Sequence, residues 1–125
     1  MATELYDPSA LRSANAAADL TGKERYGAVL NTAGAFALAG ANQAGQIKGV
    51  IHEGASTGRG VSVCTRGKVK VTAGGTVANA NVSVTTDAAG KFVTATTGQN
   101  AWGVSYSAAS TNVIFEIELI PHTAP

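Results

Sequence analysis

Two histidines, one cysteine and one tryptophan among 125 residues leave little from which to build a catalytic centre. Hydrolytic or transfer chemistry needs a nucleophile, a base and an orienting group that converge, and the three aspartates add little to that stock. A lone cysteine excludes an internal disulfide. Set in the alternating run Val61-Ser-Val-Cys-Thr65, Cys64 is expected as a buried strand thiol. Charge is also sparse: 14% of residues are charged and the net charge is +1. A nucleic-acid binder concentrates Lys and Arg on one surface to displace counterions, so no nucleic acid is expected as a partner. No run of about 18 consecutive apolar residues occurs. The start, Met1-Ala-Thr-Glu-Leu-Tyr-Asp-Pro8, has no basic segment followed by an apolar one, so neither a membrane nor standard export is expected. Aromatics make up only 6%, and much of the 45% apolar fraction is alanine, so each buried position removes little surface from water. One domain with one thin core is the working expectation. Such a core, with 15 glycines, fits a chain that gains stability from partner chains; an oligomer or a larger assembly is therefore expected.

What is present falls into three stretches. Residues 1–22 show no β alternation and are rich in Ser, Asn and Ala. Asp7-Pro8 can supply an N-cap and a first-turn proline, and Gly22 a left-handed stop. Between them only Leu11 and Leu20 are large and apolar, too few for a helix to bury a useful face. The segment is expected as an N-terminal arm, extended or in a short helix, mobile in the free protein and ordered on a partner. From residue 23 to 120 short strands alternate with Gly, Asn, Asp and Thr. Tyr26, Ala28 and Leu30 share one face, and Asn31-Thr-Ala-Gly34 turns the chain into Ala35-Phe-Ala-Leu38. Asp87-Ala-Ala-Gly90 repeats that turn before Lys91-Phe-Val-Thr-Ala95, with Phe36 and Phe92 each two residues past the glycine; this is a recurring hairpin grammar rather than a duplicated unit. Further strands are expected over 46–52, 60–65, 68–72, 81–86, 101–107 and 112–120. In the last, Val113, Phe115, Ile117 and Leu119 point one way and Glu116 and Glu118 the other. Short strands with turns every eight to twelve residues predict an all-β fold, a small barrel or sandwich of antiparallel strands. Residues 121–125 carry two prolines, so the final strand is expected to stop near Ile120.

The residues that invite chemistry have plainer readings. His52 and Glu53 are adjacent, so a strand sends them to opposite sides and they cannot form an acid–base pair. His122 lies in the proline-flanked tail, suited to solvent or an interface. Glu116 and Glu118 share a face and could hold a cation, but no third oxygen-rich ligand is near in sequence. Gly54-Ala-Ser-Thr-Gly-Arg-Gly60 lacks the Lys and Ser/Thr of a phosphate loop and has no helix after it, so it is a turn. Asn81-Val-Ser83 matches a glycosylation acceptor too short to carry weight. Trp102, aligned with Val104 and Tyr106, could stack on a sugar, but core or interface packing is the better account. No catalytic residue, cofactor or metal ligand is assigned, and an enzyme is not expected.

Five blocks carry a resemblance: Gly49-Val-Ile-His-Glu-Gly-Ala55; Gly60-Val-Ser-Val-Cys-Thr-Arg-Gly-Lys-Val-Lys-Val-Thr-Ala-Gly-Gly75; Val84-Thr-Thr-Asp-Ala-Ala-Gly-Lys-Phe-Val-Thr-Ala95; Trp102-Gly-Val-Ser-Tyr106; and Ile114-Phe-Glu-Ile-Glu-Leu119. In kind and order they resemble the small capsid decoration, or cement, proteins of tailed bacteriophages, over residues 19–120. The resemblance implies a compact β-rich body, commonly a homotrimer, on the outer surface of an expanded capsid. There it would bind the major capsid protein, bridge capsomers and stabilise the head, having been made in the host cytoplasm. The arm and the tail depart from the short ends of that pattern. Leu5, Tyr6 and Leu11 are the candidate capsid anchors on the arm, since an extended segment can add a strand to a neighbour's sheet edge. Another virion or surface β module, a fibre base or a carbohydrate-binding domain, is the alternative.

Overall fold

A computed structural model describes residues 11–45 and 47–125. The described residues form ten strands and no α-helix: β1 (Leu11–Ala16), β2 (Gly27–Leu30), β3 (Ala35–Leu38), β4 (Lys48–Glu53), β5 (Gly60–Cys64), β6 (Gly67–Thr72), β7 (Ser83–Thr86), β8 (Phe92–Thr94), β9 (Asn100–Ser105) and β10 (Ile114–Thr123). The first five close into a barrel in the order β1-β3-β2-β4-β5, and the rest form a sheet in the order β6-β10-β9-β7-β8. A parallel bridge between Ala73 and Phe92 links the two outer strands of that second sheet, which limits the exposed edge it would otherwise offer to other chains. The expected all-β architecture is therefore what the chain adopts.

The two turns with matching sequence are matching structures. Asn31 Oδ1 accepts from the amides of Ala33 and Ala35, both at 3.0 Å, and Asp87 Oδ1 accepts from those of Ala89 and Lys91 at 2.9 and 3.0 Å. The fourth residue of each turn must take a left-handed conformation, which glycine reaches at least cost; Gly34 has φ 81° and Gly90 φ 80°. Each turn delivers a phenylalanine into a core, but into different cores. Phe36 joins Ala16, Leu20, Ala28, Ile51, Val61 and Val63 inside the barrel. Phe92 joins a larger cluster with Val69, Val71, Val84, Trp102, Phe115, Ile117 and Leu119 under the second sheet. The expected single core is thus two. β4 and β5 serve both, because alternate side chains leave opposite faces of a strand: Ile51, Val61 and Val63 point into the barrel, while Val50 and Cys64 pack in the larger cluster.

Both ends of the chain differ from the sequence expectation. Leu11–Ala16 is not an arm but a barrel strand, antiparallel to β5 from Leu11↔Cys64 to Asn15↔Gly60 and parallel to β3 at Asn15↔Ala35 and Ala16↔Phe36. Main-chain pairing on both sides holds a segment whose side chains have almost no apolar pattern. Leu20, expected on the same arm, is 1% exposed, and Gly22, with φ 77°, ends a turn and not a helix. Asp7 and Pro8 lie outside the described residues. At the other end, β10 runs past Ile120 through Pro121 to Thr123, with its register against β9 shifting between Leu119 and His122. A bulge leaves a ladder position unpaired, so the missing N–H of Pro121 costs no hydrogen bond there. The last residues dock as well: the Ala124 amide donates to Gln99 O at 3.0 Å, and the Gly98 amide donates to Ala124 O at 2.9 Å. Val113, expected inward, precedes β10 and is 44% exposed.

Candidate interaction surfaces

Cys64 is buried, and its thiol donates to Arg66 O at 3.2 Å, the expected strand thiol. His52 is the extra residue of a bulge, where the register against β5 shifts between the Ile51–Val63 and Glu53–Ser62 pairs. Residues 54–59 are the β4–β5 connection, fixed by amide bonds from Gly58 to Ala16 O and from Arg59 to Ser56 O, and Gly60 opens β5. Trp102 is 1% exposed. Its ring meets Phe92 edge-on at 5.5 Å, its Nε1 donates to Gln43 O at 3.0 Å, and the Lys48 ammonium sits 5.1 Å from its centroid. Burial on this scale removes it as a sugar platform, whereas Tyr106, just past the end of β9, stands 47% exposed. Among the described residues no three His, Cys, Asp or Glu side chains gather as a metal site, and no helix is long and apolar enough to cross a membrane.

One arrangement is invisible in the sequence. Ser83 Oγ lies 2.8 Å from His122 Nε2, and His122 Nδ1 lies 2.6 Å from Ile120 O. A carbonyl only accepts, so Nδ1 carries a proton; in the neutral ring Nε2 is then the acceptor and the Ser83 hydroxyl donates. That is the hydrogen-bond order of an activated serine. An acyl-transfer site also needs free amides where an oxyanion would form. The nearby amides of Asn81 and Val82 are engaged by Ser105, through its carbonyl at 2.7 Å and its hydroxyl at 3.1 Å. The pair therefore ties the tail to β7. Nothing short of the β10 bulge would reveal it, since 39 residues separate the partners.

Two surfaces remain. The outer face of the second sheet carries Ile114 and Ile120, 53% and 50% exposed, around a small charge ladder. Lys68 Nζ is 3.7 Å from Glu116 Oε1 and 4.4 Å from the Tyr106 centroid, and the Tyr106 hydroxyl donates to Glu118. That hydrogen bond, followed by desolvation and the charges of Glu118 and Glu116, holds the Tyr106 pKa above its ordinary value. Glu116 and Glu118 are thus matched by a lysine and a phenol and do not converge on a cation. A concavity of about 400 Å³ beside them is lined by Asn81, Val104, Tyr106, Glu118 and Ile120. The second surface is a cleft of about 270 Å³ lined by Arg12, Gly45, Ile47, Lys48, Thr65 and Pro121. Here the barrel meets the second sheet: Arg12 comes from β1, Lys48 from β4, Thr65 from the β5–β6 turn and Pro121 from the β10 bulge. Desolvation holds the Lys48 pKa below the usual lysine value. Of the expected anchors, Leu5 and Tyr6 lie outside the described residues, and Leu11 is half-buried at the start of β1, packed against the larger core.

With this geometry in hand, likeness to known proteins can be judged on fold. The chain shares its fold with the head fiber gp8.5 N base of bacteriophage phi29. The superposition has a TM-score of 0.67 and spans 92% of this chain and 97% of that one, at 13% sequence identity. No protein-family model matches the sequence, and no curated protein does. Near-complete coverage of both chains means that the barrel and the second sheet recur together in the phi29 protein.

Proposed function

We propose that this chain is a structural protein of a bacteriophage virion, carried on the outer surface of the head and bound there to the major capsid protein. One observation carries the reading: a fold held in common, along nearly the whole of both chains, with the base of a phage head fiber. The likeness of the residue blocks to capsid decoration proteins points the same way from sequence. The geometry agrees, since the most reactive-looking pair, Ser83 and His122, is built into the packing of the tail and the tryptophan is locked in the core. In the leading form of the proposal the protein is a homotrimer that bridges capsomers and stabilises the expanded head. The second form, a fibre base, is favoured by the printed description of the phi29 neighbour.

Expanded heads lacking the protein, mixed with the purified chain and sedimented, separate the two. Saturation near one copy per capsid subunit, with heads that resist heating better, supports bridging. Saturation at a few copies per head with unchanged heat resistance supports a fibre base, and no co-sedimentation refutes both.

A further inference from the structure

Strand β6 meets β10 on one side, and among the described residues no strand pairs with its other side. Along an antiparallel pair the main-chain groups of successive residues face alternate sides. Ala73 N donates to Val113 O, and Tyr106 N donates to Glu116 O. With the register Val71↔Phe115, Val69↔Ile117 and Gly67↔Leu119, it is therefore Val71, Val69 and Gly67 that bond to β10. The N–H and C=O groups of Lys68, Lys70 and Thr72 face the other way. The Thr72 amide is taken, donating to Arg25 O at 3.0 Å. Those of Lys68 and Lys70 have no main-chain partner among the described residues, and the bridge to Phe92 that closes this side lies beyond them at Ala73.

The strand β10 shows what β6 accepts as a neighbour. It sets Glu116 opposite Lys70, Ile117 opposite Val69 and Glu118 opposite Lys68. The acids share the outer face with the lysines, while Ile117, 0% exposed, lies with Val69 in the core. We propose that the open side of β6 receives a second strand of this kind: an extended segment of a shell protein, with Asp or Glu at two alternate positions, added to the sheet beside Lys68 and Lys70. Main-chain bonds to an exposed sheet edge supply affinity, and alternate side chains supply specificity. Opposite charges directly across a strand pair stabilise it and like charges destabilise it. Each lysine would then stand between two carboxylates. Lys70 gains most, since it has no ion pair among the described residues, whereas Lys68 already has Glu116 at 3.7 Å. The same rule disfavours a second copy of this chain as the occupant. Pairing β6 with its own copy would set lysine against lysine, a device by which edge strands avoid self-association.

The inference rests on the virion reading, and the test separates the two. Amide hydrogen exchange is followed residue by residue, by mass spectrometry, in the free chain and in the chain bound to purified heads. In the free chain the amides of Lys68 and Lys70 should exchange at least tenfold faster than those of Val69 and Val71, which β10 holds. On heads they should slow at least tenfold. A chain that stays on heads while Lys68 and Lys70 exchange as in the free state overturns the edge alone. A chain that does not bind heads overturns the virion reading and the edge with it. Slow exchange of both amides already in the free chain also overturns the proposal, in favour of a second copy if the slowing grows with concentration and of the chain's own residues 1–10 if it does not. As a second measurement, Lys70→Glu is compared with Arg59→Glu, which changes the net charge equally at an exposed position of the β4–β5 connection. With circular dichroism unchanged in both, Lys70→Glu should bind heads at least tenfold more weakly and Arg59→Glu within about twofold of the wild-type chain. Undiminished binding by Lys70→Glu, or an equal loss in both variants, overturns the acidic partner.

Discussion

Replacing Phe36 with alanine probes whether the barrel and the second sheet unfold as one body. Phe36 is 1% exposed and fills the smaller cluster with Val61, Val63 and Ile51. Truncating a buried phenylalanine costs about 3–5 kcal/mol through lost transfer energy and the cavity left behind, a large share of the roughly 5–15 kcal/mol by which domains are stable. For a chain of this length, about 4 °C of melting temperature accompanies each kcal/mol, so the midpoint should fall by roughly 12–20 °C. The probe sits in the other cluster. Trp102 is the only tryptophan, 1% exposed beside Phe92, and its emission reports the second sheet. Strands β4 and β5 place Val50 and Cys64 in its cluster while Ile51, Val61 and Val63 line the barrel, so loss of the barrel withdraws part of the packing around it. The expected result is one thermal transition, displaced equally in Trp102 emission and in far-ultraviolet circular dichroism. An unchanged emission midpoint with a split dichroism curve would refute the coupling through the shared strands.

Further outcomes follow from single contacts. A methyl group at position 103 would clash with the Glu118 carbonyl oxygen, a main-chain atom that cannot swing aside, so Gly103→Ala should cost at least the roughly 1–3 kcal/mol of overpacking. Gly75→Ala, which meets only the Val93 side chain at 3.4 Å, should stay within about 0.5 kcal/mol in urea unfolding. Tyr106 should ionise above 10.0 in ultraviolet titration and return toward that value in Glu118→Gln. Because the folded value is the higher one, the Tyr106 contribution to stability is complete below pH 10.0 and is lost as pH rises through the folded value. Unchanged titration in the variant would contradict the role of the hydrogen bond. Ser83→Ala should cost about 0.5–1.5 kcal/mol by removing the donor to His122, and the wild-type protein should not react with a fluorophosphonate; stoichiometric labelling of Ser83 would show the pair to be a working nucleophile.

The parts of this fold legible in the sequence are those where side chains report their own environment. Phe115, Ile117 and Leu119 against Glu116 and Glu118 mark a strand with one dry face, and Asn31 and Asp87 mark turns because their carboxyl or amide oxygens close them. β1 is illegible for the opposite reason. Arg12, Ser13 and Asn15 are exposed, and the strand is held by main-chain bonds to two neighbours whose positions are set by residues 20 and more places away. The division into two cores was hidden because β4 and β5 are buried on both faces, so Val50-Ile51 reads as apolar without revealing that each residue enters a different cluster. The Arg12–Lys48 cleft is assembled from five separate stretches of the chain, and no local spacing announces it. Trp102 is legible only in part: its strand setting favours packing, but nothing local to it marks the Gln43 carbonyl that fixes its indole.

The proposal that this is a head-surface protein is tested most directly by its abundance in particles. Virions banded from an infected-cell lysate would be digested and this chain quantified against the major capsid protein by mass spectrometry. The account predicts a fixed, reproducible ratio that is retained through repeated banding and is removed by protease acting on intact heads. Absence from banded virions, or protection inside them until the shell is opened, would contradict it.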